Sequence, residues 1–243
     1  MNGFTAQVEK LRSCIRGSVC LWSFLLILPM VRVSSQERPH AIAVYANIIS
    51  GSQLFTAPLS RDLVEKNSAE PFGTMLNARV AYSYSITPTM RLQVSGELLS
   101  DEHVRRDNNG TDISDGYRVY ASELSALFAL PFTGKTLVLF IGGGGGVYWG
   151  TRTFAIAGIQ ADPLDSSPSF NILTVIGVEY FFLDLLSITA EWRFRDPVVT
   201  AKNAFTRAHV ESNGITYPLE QRPFPSKINI NGNTYSLGVS VHF

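Results

Sequence analysis

"TYSLGVSVHF", Thr234 to Phe243, decides the fold. Tyr235, Leu237, Val239, Val241 and Phe243 alternate with Ser236, Gly238, Ser240 and His242, the period-two pattern of a strand with one apolar face and one polar or small face. The apolar face runs to the last residue and ends on an aromatic, which in water would be a frayed, greasy terminus. In lipid the same face is satisfied.

The alternation recurs upstream. In "MLNARVAYSYSI" Leu76, Ala78, Val80, Tyr82, Tyr84 and Ile86 oppose Asn77, Arg79, Ala81, Ser83 and Ser85. "MRLQVSGELL" sets Met90, Leu92, Val94 and Leu98 against Arg91, Gln93, Ser95 and Glu97, and "YASELSALFAL" sets Tyr120, Leu124, Ala126 and Phe128 against Ala121, Glu123 and Ser125. "FNILTVIGVEYFF" has Ile172, Ile176, Val178 and Tyr180 opposite Asn171, Gly177 and Glu179; in "SITAEWRFR" Ile188, Ala190, Trp192 and Phe194 oppose Thr189, Glu191, Arg193 and Arg195. "AIAVYANI" from Ala41 and "TLVLFIGGGGGVYWG" from Thr136 bring the set to eight strands. The charged face has to be the enclosed one, because the opposite face is too apolar for water. This excludes a soluble ligand-binding barrel, whose polarity is the reverse.

The connections alternate as well. Tight turns, "TPT", "PFTGK" and "LDL", separate strands 2 and 3, 4 and 5, and 6 and 7, while long polar stretches near residues 50–71, 100–116, 153–168 and 196–226 fill the other four gaps. Short turns on one side and long loops on the other are the layout of an even-stranded transmembrane barrel. Closure follows from lipid, where an open edge would leave backbone groups unpaired. The fold class expected is therefore all-β: an eight-stranded antiparallel up-and-down transmembrane β-barrel over residues 36–243.

Residues 1–35 read differently. Lys10, Arg12 and Arg16 precede the apolar run "SVCLWSFLLILPMV", and Val33 and Ser35 stand at −3 and −1 before Gln36; this is the order of a cleavable signal peptide. The run is shorter than the roughly 20 residues of a spanning helix. Both cysteines, Cys14 and Cys20, fall in this segment, so residues 36–243 hold no thiol, disulfide or cysteine metal site. The chain has 20 basic and 20 acidic residues; residues 1–35 hold four of the former and one of the latter, leaving 16 against 19, a net −3. That balance offers no electrostatic footprint for nucleic acid.

"ALPFTGKT", Ala129 to Thr136, fits the loosest form of a phosphate-binding loop. In such a loop the Lys–Thr pair opens a helix, whereas here Leu137, Val138, Leu139, Phe140 and Ile141 follow, a strand-prone run that meets five glycines. Lys135 is read as a turn residue and no nucleotide is expected. Gly142, Gly144 and Gly146 fall on the luminal parity, where they leave room for long side chains and let the sheet bend. "DNNGTDISDG", from Asp107, departs from a calcium loop, with Asp112 where glycine belongs and Arg118 at the last acidic position; it reads as a solvated acidic loop. His103 and His209 are assigned to loops, His40 just before the first strand and His242 to the lumen. No catalytic set, cofactor site or metal site is expected.

With the terminal alternation ending in Phe243 and the hairpin "GVEYFFLDLLSITAEWRF" on the page, the chain resembles the small eight-stranded outer-membrane barrels of Gram-negative-type bacteria, similar in layout to the membrane domain of outer membrane protein A. The resemblance implies a cell outer-membrane location, outer-membrane lipid as surroundings, and a terminal strand (Tyr235, Val239, Val241, Phe243) read by the barrel-assembly machinery. No cell-wall-binding domain is expected after the barrel, so the resemblance does not imply an anchoring role. The function expected is non-enzymatic: structural support and surface display around a lumen plugged by Arg79, Arg91, Glu97, Glu123, Glu179, Glu191, Arg193 and Arg195. The alternatives are a narrow channel for small or apolar solutes and a lipid-modifying enzyme.

Overall fold

The computed structural model describes residues 38–243 other than 133, 135 and 231. The signal segment 1–35 and the turn residue Lys135 lie outside the described residues. The strands, in chain order, are β1 (His40–Ile49), β2 (Ser52–Phe55), β3 (Ala69–Pro71), β4 (Met75–Thr87), β5 (Met90–Arg106), β6 (Asp112–Ala129) and β7 (Leu137–Ile156). They continue with β8 (Ile159–Gln160), β9 (Asp162–Ser167), β10 (Ser169–Leu183), β11 (Leu186–Arg195) and β12 (Val198–Ala204). β13 (His209–Ser212), β14 (Ile215–Pro218), β15 (Phe224–Ile230) and β16 (Gly232–His242) complete the set, and a single helical turn, α1 (Leu63–Lys66), sits between β2 and β3.

Eight of these form a closed antiparallel barrel in the order β1, β4, β5, β6, β7, β10, β11, β16, with β16 returning to β1. Each barrel strand pairs with its neighbours in the chain, an up-and-down meander. Closure is complete from Ala41 opposite His242 to Ile49 opposite Thr234, so no edge faces lipid. At the short-turn end Pro88 and Thr89 join β4 to β5, with the Thr87 hydroxyl accepting from the Met90 amide at 3.0 Å. Asp184 and Leu185 join β10 to β11.

Burial alternates along the barrel strands as the sequence does: β11 reads buried at Ser187, Thr189, Glu191, Arg193 and Arg195 and exposed at Ile188, Ala190, Trp192 and Phe194. An outside of Val, Ile, Leu and aromatic residues around an inside of Arg, Glu, Ser and Gln is stable only with hydrocarbon outside. Tyr120, Trp149, Trp192 and Tyr235 band the long-loop end, and Tyr82, Tyr84, Phe128, Tyr180, Phe182 and Phe243 the turn end. Such rings settle at the two headgroup levels. Among the described residues no helix is long and apolar enough to cross a membrane; the strands cross it.

The long polar connections are themselves largely β-structured. β5, β6 and β7 run for 17, 18 and 20 residues, well past the 9–11 that span a bilayer. Residues 100–116 are therefore mostly a hairpin, bent only at residues 107–111, and His103 lies on β5 rather than in a loop. Segments of three other connections build a second sheet, in the order β3, β2, β15, β12, β9. Its Leu54, Val199, Ile228 and Ile230 join one apolar core with Met75, Leu99, Tyr117, Val119 and Tyr148 of the barrel. Above the membrane a strand has no lipid on either side, so its sequence loses the strict alternation that marks the spanning part. The β13–β14 hairpin did carry a signal, Asn213-Gly214, whose positive φ angles of 52° and 77° suit a two-residue turn.

That hairpin docks on the β5–β6 bend through Asp107. Its carboxylate accepts from the Tyr217 hydroxyl at 2.6 Å and from the Thr111 and Asn109 amides at 2.9 Å each, which holds its carboxyl below the usual carboxylate range, the Tyr217 bond contributing most. A pKa lowered in the folded protein stabilises the docked form above the ordinary carboxylate range, and that contribution is lost as pH falls through the lowered value. Protection of the Asn109 and Thr111 amides, taken relative to the intrinsic exchange rate at each pH, is therefore expected to fall in acid, and to be already low, with little further response to acid, in Asp107→Asn. A protection factor in the wild type that ignores acid would contradict this.

Candidate functional site: the enclosed charge network

Four arginines and four glutamates point into the barrel, and the structure brings them together as two sets. Arg79 on β4 bonds Glu191 on β11; Arg193, also on β11, reaches both Glu191, at 3.3 Å, and Glu123 on β6. Arg195 then places one nitrogen 2.5 Å from Glu123 and 2.6 Å from Glu97 on β5. The result is an unbroken chain, Arg79–Glu191–Arg193–Glu123–Arg195–Glu97, across four strands. Nearer the turn end Arg91 bonds Glu179 at 2.8 Å. All are buried except Arg91, whose side chain is 18% exposed.

Neutral side chains complete the shell. The Tyr148 hydroxyl donates to Glu123 at 2.6 Å, and Asn47 and Asn77 donate to Glu97 at 2.8 and 2.6 Å. The Arg79 guanidinium lies 3.9 Å from the centre of the Tyr45 ring, where the negative π face adds to the attraction. Tyr45 lies flat because Gly238 stands opposite it: a Cβ there would come within 2.3 Å of the ring. Gly177 does the same for Phe140.

The five-glycine run behaves less uniformly than its parity implies. At Gly146 a Cβ would meet the Glu123 side chain at 2.8 Å, so this glycine does make room for a long side chain. At Gly142 and Gly144 the obstruction is the backbone of β6, 2.3 Å away at the Ala126 oxygen and 1.9 Å at the Leu124 oxygen. There the missing side chain lets two strands close up where the wall bends.

Two groupings escaped the sequence. Arg152 and Asp115 form a buried two-pronged pair on β7 and β6 above the network, with the Arg152 guanidinium 4.4 Å from the Phe154 ring centre. Asp115 belongs to a stretch that reads as loop, and Arg152 lies just past the strand that reads as ending at Gly150. At the turn end Ser187, His242 and Glu179 meet: the Ser187 hydroxyl lies 2.8 Å from His242 Nε2 and 2.6 Å from Glu179 Oε1. Parity puts all three inside, but only the barrel stagger puts them at one level. The same Nε2 lies 3.2 Å from Glu179, so serine and acid share one ring nitrogen instead of occupying opposite ones, and Ser187 is wholly buried. A hydrolytic relay needs the acid on the far nitrogen and an accessible hydroxyl. Among the described residues no group of three or more His, Cys, Asp or Glu side chains is placed to hold a metal.

Neither a protein-family model nor a curated protein matches the sequence. Among solved structures, the outer membrane protein OprG from Pseudomonas aeruginosa superposes with a TM-score of 0.57 over 86% of this chain and 98% of its own, at 8% identity. The fold is that of the small outer-membrane β-barrels. Neisserial surface protein A aligns over 84% of this chain and 97% of its own, at 14% identity and a TM-score of 0.44. In this barrel Tyr235, Val239, Val241 and Phe243 all lie on the lipid face, 46–53% exposed.

Proposed function

We propose that the protein is a non-enzymatic outer-membrane barrel with a closed lumen, whose work is to hold a rigid β-structured platform above the membrane. The observation that carries this reading is the stacking of two seals along one axis. Mid-barrel, opposite charges fill the interior with their own partners; above them the apolar layer of Leu54, Ile228 and Ile230 packs on Leu99, Val119 and Tyr148. An ion entering would meet a layer that offers it no hydrogen bonds, and then charges already paired. The shared ring nitrogen and the buried hydroxyl at Ser187 favour a structural role for that cluster too.

Planar bilayers holding the purified protein are the test. The wild type is expected to show no steady conductance above the bare membrane. Charge-removing variants such as Glu179→Gln at the turn end should stay silent, because the apolar layer remains. A steady, ion-selective current in the wild type would sink the closed-lumen reading and put the narrow channel in its place.

A further inference from the structure

The lipid face of the barrel is interrupted by a cleft of about 470 Å³ at β6, β7 and β10. Its walls include Val94, Leu124, Val147, Phe170 and Ile172, and Gly145 forms its floor. Register explains the shape. Val94 pairs with Leu124, Leu124 with Gly145, and Gly145 with Ile172, so one outward row crosses four strands and is bare only at β7. Gly143 repeats the gap one outward position further down. Phe170 and Ile172 stand 79% and 84% exposed beside it, whereas Leu124, Ile141 and Ile176 nearby are 53%, 44% and 46% exposed. A ridge thus borders a slot.

The surroundings choose the occupant. Leu124 lies midway along β6 between Tyr120 and Phe128, one from each aromatic band, so the slot opens inside the layer that hydrocarbon covers. Tyr120 stacks on Trp149 above it, ring centres 6.1 Å apart. The next outward residue on β6 is the exposed Arg118, about 20 Å along the strand from Leu124 at the usual rise per residue. Its register partners are Ser100 and Thr151, neither of them acidic. Glu102, an acid on the neighbouring strand β5 in register with Gly116, already accepts from the Ser114 hydroxyl. A mostly apolar slot at mid-membrane, an aromatic pair at the interface and, among the described residues, an unopposed cation above it follow the order of tail, ester and phosphate in one lipid.

We propose that this face is a binding site for an anionic membrane lipid, with one acyl chain in the slot over Gly143 and Gly145 and the phosphate on Arg118. The chain binds through packing, since lipid solvates apolar side chains equally everywhere and only a closer fit distinguishes one place from another. Arg118 adds selectivity for charge. The proposal rests on the lipid-facing reading of the belt and is independent of whether the lumen conducts.

The test is native mass spectrometry of the folded protein in detergent with phosphatidylglycerol and phosphatidylcholine of equal chain length. One cation near the headgroups is worth about 1 kcal/mol, or about fivefold, so the wild type should retain phosphatidylglycerol over phosphatidylcholine by about that factor. Arg118→Gln should bring the ratio to about one while still holding lipid. Gly145→Leu should lose both lipids: a Cβ at 145 meets nothing closer than the Asn171 carbonyl oxygen at 3.7 Å, so the side chain fills the slot without disturbing the wall. Heat-modifiable gel mobility checks that each variant is folded. Should Gly145→Leu fail that check, Ile172→Ala, which removes a wall instead of filling the floor, is read in its place and should also lose lipid. Undiminished lipid in the folded slot variant overturns the proposal, and so does an unchanged ratio in Arg118→Gln. A lipid-free dimer that Gly145→Leu abolishes overturns it as well, because the cleft would then be a contact between two copies.

Discussion

Glu123→Ala is expected to destabilise the barrel by about 3–5 kcal/mol, the range for breaking one side of a buried ion pair. Glu123 is 3% exposed and accepts from Arg193, from Arg195 at 2.5 Å and from Tyr148 at 2.6 Å. Without it Arg193 keeps one carboxylate, Glu191 at 3.3 Å, and the neutral Gln93 side-chain oxygen at 3.4 Å, and Arg195 keeps one carboxylate, Glu97. Two guanidiniums would then share one carboxylate fewer, inside a wall that excludes bulk water. The comparison is Arg106→Ala: Arg106 bonds Asp112 at 2.7 Å, but the two side chains are 75% and 54% exposed, and such a pair contributes at most about 1 kcal/mol. Urea unfolding in lipid vesicles, followed by tryptophan fluorescence, separates the two. If Glu123→Ala cost no more than Arg106→Ala, the interior would have to be wet enough to resolvate two arginines, and the closed-lumen reading would fall with it.

Gly144→Ala is expected to prevent or severely slow folding, for a steric reason. The new Cβ would lie 1.9 Å from the Leu124 carbonyl oxygen and 2.7 Å from the Ser125 Cα. These are backbone atoms of the adjacent strand, in the ladder that pairs Ser125 with Gly144. No rotamer change relieves the contact; β6 must move. Overpacking of flexible side chains costs about 1–3 kcal/mol, and a clash with a hydrogen-bonded backbone belongs at or above the top of that range. Gly145→Ala, one residue on but facing lipid, is expected to be neutral or better by about 0.5–1 kcal/mol, since alanine loses less freedom in a strand than glycine. Yields of the heat-modifiable folded form read both variants, and equal yields would mean the bend at Gly144 is not needed for closure.

Arg79, Arg193 and Arg195 show where sequence reading stops. Their parity follows from alternation alone, because successive side chains on a strand point to opposite faces whatever the rest of the chain does. Their partners do not. Arg79 and Glu191 are 112 positions apart, and they meet because the barrel closes with one particular stagger, a property of all eight strands together. Gly142 and Gly144 are legible only in part for the same reason: parity puts them inside, but only the curvature of the wall decides whether backbone or a side chain fills the space.

By itself, then, the sequence determined the spanning strands, their inner and outer faces and the positions of the short turns, since lipid on one side and an enclosed interior on the other impose a pattern that each strand carries locally. Only the tertiary structure decided which charges pair, that Ser187, His242 and Glu179 share one level, and that the long connections fold into a second sheet over the mouth. Stagger and closure are collective, and a segment bathed by water or covered by another loop is under no periodic demand, so neither leaves a mark that can be read one strand at a time.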